Sequence, residues 1–310
     1  MKVCVLGTGS LGSAIGGALA LSGNEVHLVS RPAHAAAVNE RGLTLVAGDE
    51  ERVAAVVGHE TPEGIGPCDL VIVLCKAMDT AEVASQAHAA GVVGPQTVAV
   101  SLQNGLGSDD LLIEAFGEDC VIGGKTYIGG MLMEPGRVQA NIAGKRTIIG
   151  ELDGSITPRV QRIADAFNEA GMECAVSDDI VGVIWNKLLV NVATGAVCAI
   201  TGLPYEGIYD EPLIRETALA AVQEGMDVAA ALGVKVAYGS PEGPWELARE
   251  GLPGNFKPSL LQSLEKGRKT EVDVIAGAVV REGAKVGVPT PVNLTLVAMV
   301  HGIERRIGAR

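Results

Sequence analysis

Lys2-Val-Cys-Val-Leu-Gly-Thr-Gly-Ser-Leu-Gly12 opens the chain with a short apolar strand followed at once by glycines spaced Gly-x-Gly-x-x-Gly. Ser13-Ala-Ile-Gly-Gly-Ala-Leu-Ala-Leu-Ser22 then reads as a helix, Gly23-Asn24 stops it, and residues 25–29 form a second strand. Strand, glycine turn, helix and strand in this order make the β-α-β unit of a dinucleotide-binding fold. Each glycine has its own physical reason. Gly7 allows the tight turn, Gly9 lets a pyrophosphate approach the backbone, and Gly12 lets the helix pack close on the strand. Thr8, Ser10 and Leu11 complete the loop, and the helix start behind it offers backbone N–H groups to an anion.

The end of the second strand reports which dinucleotide binds. An Asp or Glu there would bond the ribose 2′-hydroxyl of NAD, but this chain has Ser30-Arg31. A hydroxyl and a guanidinium match a 2′-phosphate, so NADP is expected. A solvated loop arginine is the competing reading.

Further along, residues 33–41 read as a helix, and 43–46 with 53–57 as an inserted pair of strands. Cys68-Asp-Leu-Val-Ile-Val-Leu-Cys75 is a buried strand ending at Lys76, and Val98-Ala-Val-Ser-Leu102 another ending at Gln103-Asn104-Gly105. In an open parallel sheet ligands lie beyond the carboxyl ends of the strands, where Lys76 and Asn104 stand. Each could equally be a turn former, Asn before Gly especially. Residues 121–130 and 136–151, joined by Pro135-Gly136, are expected to finish this sheet. A helix over 155–171 and a strand over 172–176 follow, and the boundary belongs near 178. The expected architecture is α/β plus all-α, with a Rossmann-type NADP-binding domain over 1–178 and a helical substrate domain over 179–310. Such a pair should leave a cleft between them.

The helical half opens on Asp179-Ile-Val-Gly-Val-Ile-Trp-Asn-Lys-Leu-Leu-Val-Asn-Val-Ala-Thr-Gly-Ala-Val-Cys-Ala-Ile-Thr201. At about 100° per residue, Lys187, Asn191 and Thr194 fall within roughly 60° of one another, with apolar residues round nearly all the rest. An ammonium in such surroundings persists only if it is paired, reached by solvent in a cleft, or partly neutralised. A lysine snorkelling to the surface is the alternative. Asn191, one turn beyond on the same face, weighs against it, because amide plus ammonium suits an oxygen-rich ligand better than a core. Further helices are expected over 211–232, 244–250, 259–286 and 292–307.

Composition excludes several classes of function. Net charge is −13, the sequence pI is near 4.9, and no basic run exceeds a residue or two, so nucleic-acid and anionic-membrane surfaces are not expected. Hydrophobic residues make up 47%, which permits large cores. Glycines interrupt the apolar N-terminal stretch, against a signal peptide, and Lys187 interrupts the most apolar helix, against a membrane span. A cytoplasmic protein is expected, with the six scattered cysteines reduced and no zinc site.

Gly7 to Gly12, Lys76, Gln103-Asn104-Gly105, Trp185-x-Lys187-x-x-x-Asn191, Lys257-x-Ser259 and Gly267-Arg-x-Thr-Glu271-x-Asp273 stand in order along nearly the whole chain. In this the chain resembles the ketopantoate reductase family, NADPH-dependent reductases of 2-oxo acids with a Rossmann domain followed by a helical domain like that of 6-phosphogluconate dehydrogenase. The resemblance implies that Lys187 is the proton donor and that Asn191 and Ser259 bind substrate. It sets Lys76 and Asn104 where cofactor and substrate meet, and places Gly130 and Glu271 on the cofactor. If 259–286 is one helix, Ser259 and Glu271 lie about 18 Å apart along it, so both cannot hold one small substrate.

The chain departs from the family pattern at three places: Gly195 and Tyr205 replace asparagines, and Val138-Gln-Ala-Asn141, with Ala140, lacks the usual histidine. Loss of an amide at Gly195 removes a hydroxyl ligand and is expected to open space for something larger. The leading expectation is reduction of a 2-oxo acid, ketopantoate first among them. An NAD-linked dehydrogenase of another 2-hydroxy acid and a non-catalytic NADP-sensing protein are the alternatives. A homodimer is expected from the apolar helical half.

Overall fold

The computed structural model describes residues 1–309. The chain divides into two units, Met1–Gln103 with Ser108–Ile180, and Asn104–Gly107 with the chain from Val181 onward. Residues 104–107, read from the sequence as the tail of a sheet strand, thus group with the helical unit.

In the first unit β1 (Lys2–Leu6), α1 (Ser10–Leu21) and β2 (Glu25–Val29) form the opening motif. After them come α2 (Pro32–Arg41), β3 (Leu43–Ala47), β4 (Glu50–Ala54), β5 (Val57–His59), β6 (Leu70–Val73), α3 (Thr80–Ala89), β7 (Val98–Ser101) and α4 (Ser108–Phe116). The unit closes with β8 (Val121–Thr126), β9 (Gly129–Glu134), β10 (Arg137–Asn141), β11 (Arg146–Gly150), α5 (Pro158–Glu169) and β12 (Glu173–Val176). The main sheet runs β12-β11-β8-β7-β6-β1-β2-β5, parallel throughout except where β11 meets β8. Its central strands β6 and β7 are buried at every residue, which is why they read as unbroken apolar runs rather than alternations.

A second sheet, β4-β3-β10-β9, corrects two expectations. Residues 121–130 are two strands in different sheets, and the hairpin at Pro135-Gly136 joins β9 to β10 rather than finishing the main sheet. Local chemistry makes the break: the Thr126 hydroxyl accepts the Ile128 N–H at 3.1 Å and bonds Thr147 at 2.8 Å, taking that backbone off the ladder. The second sheet exists to cover α1, which is buried continuously from Gly12 to Leu19. A Cβ on Gly16 would lie 2.7 Å from Leu28 of the main sheet, and one on Gly17 2.3 Å from Leu45 of the second. Two glycines side by side thus let two sheets close on one helix. His34 locks the arrangement, its Nδ1 accepting the Gly136 N–H while Nε2 meets the Ser13 hydroxyl, both at 3.1 Å, and burial lowers its pKa.

One buried charge anchors α5. Glu151, 5% exposed, accepts the Thr157 hydroxyl at 2.5 Å and a two-pronged contact from Arg159 at 2.7 and 2.5 Å. Burial alone would raise its pKa, but Arg159 and Thr157 together hold it below the usual carboxylate range. Arg159→Ala should therefore destabilise the first unit by about 3 kcal/mol, because it strands a buried carboxylate. Urea denaturation checks this. The lost increment should be present at neutral pH and fade as pH falls through the depressed pKa of Glu151, since a protonated carboxyl no longer needs the guanidinium.

The second unit is built on α6 (Ile180–Thr201), followed by α7 (Tyr205–Tyr209), α8 (Pro212–Ala231), α9 (Glu242–Arg249), α10 (Ser259–Glu265), α11 (Ala276–Val286) and α12 (Pro291–Ile307). By length and composition α6 could cross a membrane, but Leu188, Leu189, Val192, Ala193, Ala196 and Val197 are core residues here. Gly225 brings α8 against it, since a Cβ there would lie 2.7 Å from Leu189. The continuous helix expected over 259–286 is absent. α10 stops at Glu265, Gly267 turns at φ +64°, the Thr270 N–H donates to Glu304 on α12 at 2.7 Å, and a short 3-10 turn, Val272–Val274, precedes α11. A capping contact from a distant helix outweighs helix propensity in this segment. The axial separation of Ser259 from Glu271 that a single helix would impose therefore does not apply.

Candidate active site

The glycine loop has the form that an anion requires. Gly7 turns at φ +91°, and a Cβ there would lie 2.3 Å from the backbone nitrogen of Cys75. A Cβ on Gly12 would lie 2.7 Å from the Gly7 carbonyl oxygen, so that glycine sets how closely α1 starts behind the turn. Around Gly9, by contrast, an added Cβ meets no atom within 4 Å. Gly9 is the N-cap of α1 and supplies no side-chain cap, and the first turn carries no acid, so no resident carboxylate occupies this helix start. These residues fit a dinucleotide pyrophosphate. Gly9→Ala should therefore leave the fold intact and weaken dinucleotide binding by about tenfold, roughly 1.4 kcal/mol, whereas Gly7→Ala should lower Tm itself. Thermal melts beside cofactor titration on both variants distinguish the two roles.

The remaining loop residues are engaged within the unit. Thr8 donates to the Val29 carbonyl at 3.2 Å, and the Ser10 hydroxyl accepts the Leu132 N–H at 3.0 Å. Leu11 packs against the core. Gly130 has a structural reason of its own: a Cβ there would lie 2.8 Å from the Ser10 carbonyl, so only glycine lets β9 reach the first turn of α1. At the end of β2, Ser30 donates its N–H to the His59 carbonyl at 2.8 Å, and Arg31 is the exposed N-cap of α2. Among the described residues no carboxylate pairs with Arg31.

The strand ends that carry Lys76 and Asn104 are tied together by Gln103, a role the sequence did not reveal. Its buried amide nitrogen donates to the Cys75 carbonyl at 2.8 Å and to Thr80 at 2.9 Å, while its oxygen accepts from Ser101 at 2.9 Å. Lys125, only 2% exposed, donates to the Gln103 carbonyl at 3.0 Å. The available signal was a lysine inside the otherwise apolar and glycine-rich Val121-Ile-Gly-Gly-Lys125. Nearby, burial and then the Asp110 charge push the Asp109 carboxyl up to about 7, against the pull of Lys125. Lys76 itself is exposed and precedes a 3-10 turn, Ala77–Asp79.

In the second unit Lys187 and Asn191 are half-buried on α6, one turn apart. The stripe read from the sequence ends there, because the Thr194 hydroxyl is buried against the Tyr205 hydroxyl at 3.2 Å. Ser259 is exposed at the first position of α10, and Glu271 stands at the head of the 3-10 turn. Asn104 precedes Gly105, which turns at φ +87° and takes a position where a Cβ would be 2.2 Å from the Val274 carbonyl. The Leu106 N–H donates to that same carbonyl at 2.9 Å. The structure thus brings the Asn104 turn to the segment that Glu271 begins. The space expected beside Gly195 is bounded: a Cβ there would stand 3.5 Å from Leu260, an ordinary contact, so the side chain of Leu260 already borders it.

An anion-ready glycine loop in a parallel α/β unit, followed by a helical unit bearing a half-buried lysine and amide, defines a dinucleotide-binding oxidoreductase. Residues 3–154 match the family model described as ketopantoate reductase PanE/ApbA, and residues 179–304 match its C-terminal counterpart. The chain belongs to the ketopantoate reductase family. It is 33% identical to the 2-dehydropantoate 2-reductase of Pyrococcus abyssi over 100% of both chains. A ketopantoate reductase of the same family from Ralstonia eutropha superposes with TM-score 0.90 at 30% identity, covering 99% of this chain and 100% of that one. D-mandelate dehydrogenase, in a ternary structure with NADH and anilino(oxo)acetate, also reaches 0.90, at 26% identity over 100% of both chains.

Proposed function

We propose that this chain reduces a 2-oxo acid to the 2-hydroxy acid with NADPH, with ketopantoate the leading substrate and pantoate its product. The observation that carries the reading is Lys187, an ammonium held half-buried beside Asn191 on a helix whose other faces are core. When bound, the reduced nicotinamide supplies a hydride to the carbonyl carbon. Negative charge then builds on the carbonyl oxygen, and Lys187 stabilises it and donates the proton, so that one hydride and one proton convert ketone to alcohol. Asn191 and Ser259 hold the substrate oxygens, and Asn104 and Lys76 serve where substrate and nicotinamide meet. Gly7 to Gly12 take the pyrophosphate, Ser30 and Arg31 the 2′-phosphate, and Gly130 and Glu271 complete the cofactor set. A cytoplasmic setting, a small-molecule substrate and a homodimer belong to this reading. For the dimer, Leu294 and Met299, exposed on α12, are apolar surface that a second copy would cover.

One observation favours a second reading, an NAD-linked dehydrogenase of another 2-hydroxy acid: a neighbour this similar, D-mandelate dehydrogenase, has a ternary structure with NADH. Following NADPH and NADH oxidation over a panel of 2-oxo acids decides between them. NADPH consumption with ketopantoate supports the first reading, and NADH consumption with an aryl 2-oxo acid supports the second.

A further inference from the structure

We infer that Glu304 and His301 of α12 are positioning residues, which hold Glu271 where it meets the cofactor by gripping its neighbours on either side. This rests on the reading in which Glu271 belongs to the cofactor set. The Glu304 carboxylate accepts the Thr270 N–H at 2.7 Å, and His301 Nε2 meets the Asp273 carboxylate at 3.0 Å. Three residues apart, His301 and Glu304 lie on one face of α12. The two residues they hold are also three apart, and Glu271 lies between them. One helix thus grips the 3-10 turn at two points.

The chain around Glu271 does not supply this grip by itself. Residues 265–269 are all exposed, so the chain arriving from α10 reaches Thr270 with little packing to steer it. Thr270 and Val272 are then buried, and the Val272 N–H returns to the Thr270 hydroxyl at 3.3 Å. Whatever fixes Thr270 therefore fixes the backbone of Glu271, which stands between these two. The far end of the turn has its own tether, because the Val274 carbonyl accepts the Leu106 N–H at 2.9 Å. Loss of Glu304 is then felt at the near end, where Glu271 lies. Helix electrostatics single out the carboxylate. Glu304 sits in the final turn of α12, where the helix dipole favours cations, as Arg305 and Arg306 beside it illustrate. An acid placed against the dipole needs a partner, and the Thr270 N–H is one. Misplacing a site group by about 1 Å can cost about a hundredfold in rate, so a carboxylate that only holds the backbone has a large lever on turnover.

The test is a double-mutant cycle read in kinetics, using the dinucleotide and 2-oxo acid that wild type consumes. It compares wild type, Glu304→Ala, Glu304→Gln, Glu271→Ala and the variant carrying both alanines, with thermal melts to show each protein folded at the assay temperature. Glu304→Ala should lower kcat/KM for the dinucleotide by at least about tenfold. Glu304→Gln, whose amide oxygen still accepts the Thr270 N–H, should stay within about threefold of wild type. In the Glu271→Ala background, Glu304→Ala should cost less than about twofold more, because nothing is left to position. An acid that serves stability alone lowers Tm and leaves the kinetics of the folded protein unchanged, or gives losses that multiply in the double variant, and either result overturns the inference. If Glu304→Ala does not fold, His301→Ala, a change at an exposed pair, carries the same cycle. A loss of about two- to fivefold that vanishes with Glu271→Ala then supports the inference, and no loss, or one that multiplies, overturns it. Glu271→Ala with wild-type kcat/KM overturns the inference while leaving the reductase reading standing. Wild type that consumes neither NADPH nor NADH with any 2-oxo acid overturns both.

Discussion

Lys187→Ala should lower kcat by at least the ~10² to 10⁴ typical of a lost general acid while leaving NADPH affinity nearly intact. The separation is expected because the residues assigned to the cofactor lie mainly in the first unit, whereas Lys187 belongs to the second. Lys187→Arg should rescue little. A guanidinium keeps its proton at any accessible pH, and its planar fork does not reproduce the position of an ammonium. A lysine that only snorkels makes the opposite forecast, with both variants turning over near the wild-type rate and a small change in stability. A non-catalytic NADP sensor makes a third, in which wild type and variants bind NADPH alike and none consumes it. Single-turnover absorbance at saturating NADPH, with cofactor binding on the same samples, separates the three. A variant keeping more than about a tenth of wild-type turnover would remove Lys187 from the chemistry.

That Lys187 could be picked out at all follows from the kind of signal it gives. A charge on an apolar helix is a local contradiction, and α6 keeps its period for 22 residues, so both the helix and the misfit are legible from sequence. The glycine loop was legible for the same reason, because each glycine answers a distinct steric demand at fixed spacing. What escaped was decided by contacts between distant residues. The second sheet follows from α1 being apolar all round, a pattern that asks for cover on two sides, yet nothing local says which strands supply it. Gln103 reads as a strand-end amide, and only the fold brings Cys75, Thr80 and Ser101 to it. The break before α11 depends on Glu304, 34 residues away from Thr270.

That break also frees Ser259 and Glu271 from the fixed spacing of a single helix. Helix length would divide them between substrate and cofactor only if the segment were one rod, and α10 ends six residues before Glu271. Gly105 adds a physical constraint in its place, since its fit against Val274 fixes the Asn104 turn beside the start of the 3-10 segment.

Arg31→Ala should cost NADPH about 1.5 to 3 kcal/mol, or roughly 12- to 150-fold in KM, while leaving NADH almost unchanged. Three observations support the expectation. The end of β2 carries no acid to bond a 2′-hydroxyl, Arg31 is exposed at the N-cap of α2, and among the described residues no carboxylate competes for its guanidinium. Because Arg31 is exposed, its pairing with a 2′-phosphate would be open to solvent, and the expected NADPH preference should weaken as salt rises, whereas NADH binding should respond little. Adding Ser30→Asp should carry the change further, because a carboxylate at the strand end repels a 2′-phosphate and accepts from a 2′-hydroxyl. The double variant should then favour NADH. If Arg31 were merely a solvated loop residue, neither substitution at position 31 nor added salt would move the ratio of the two KM values, and wild type would show no preference to lose.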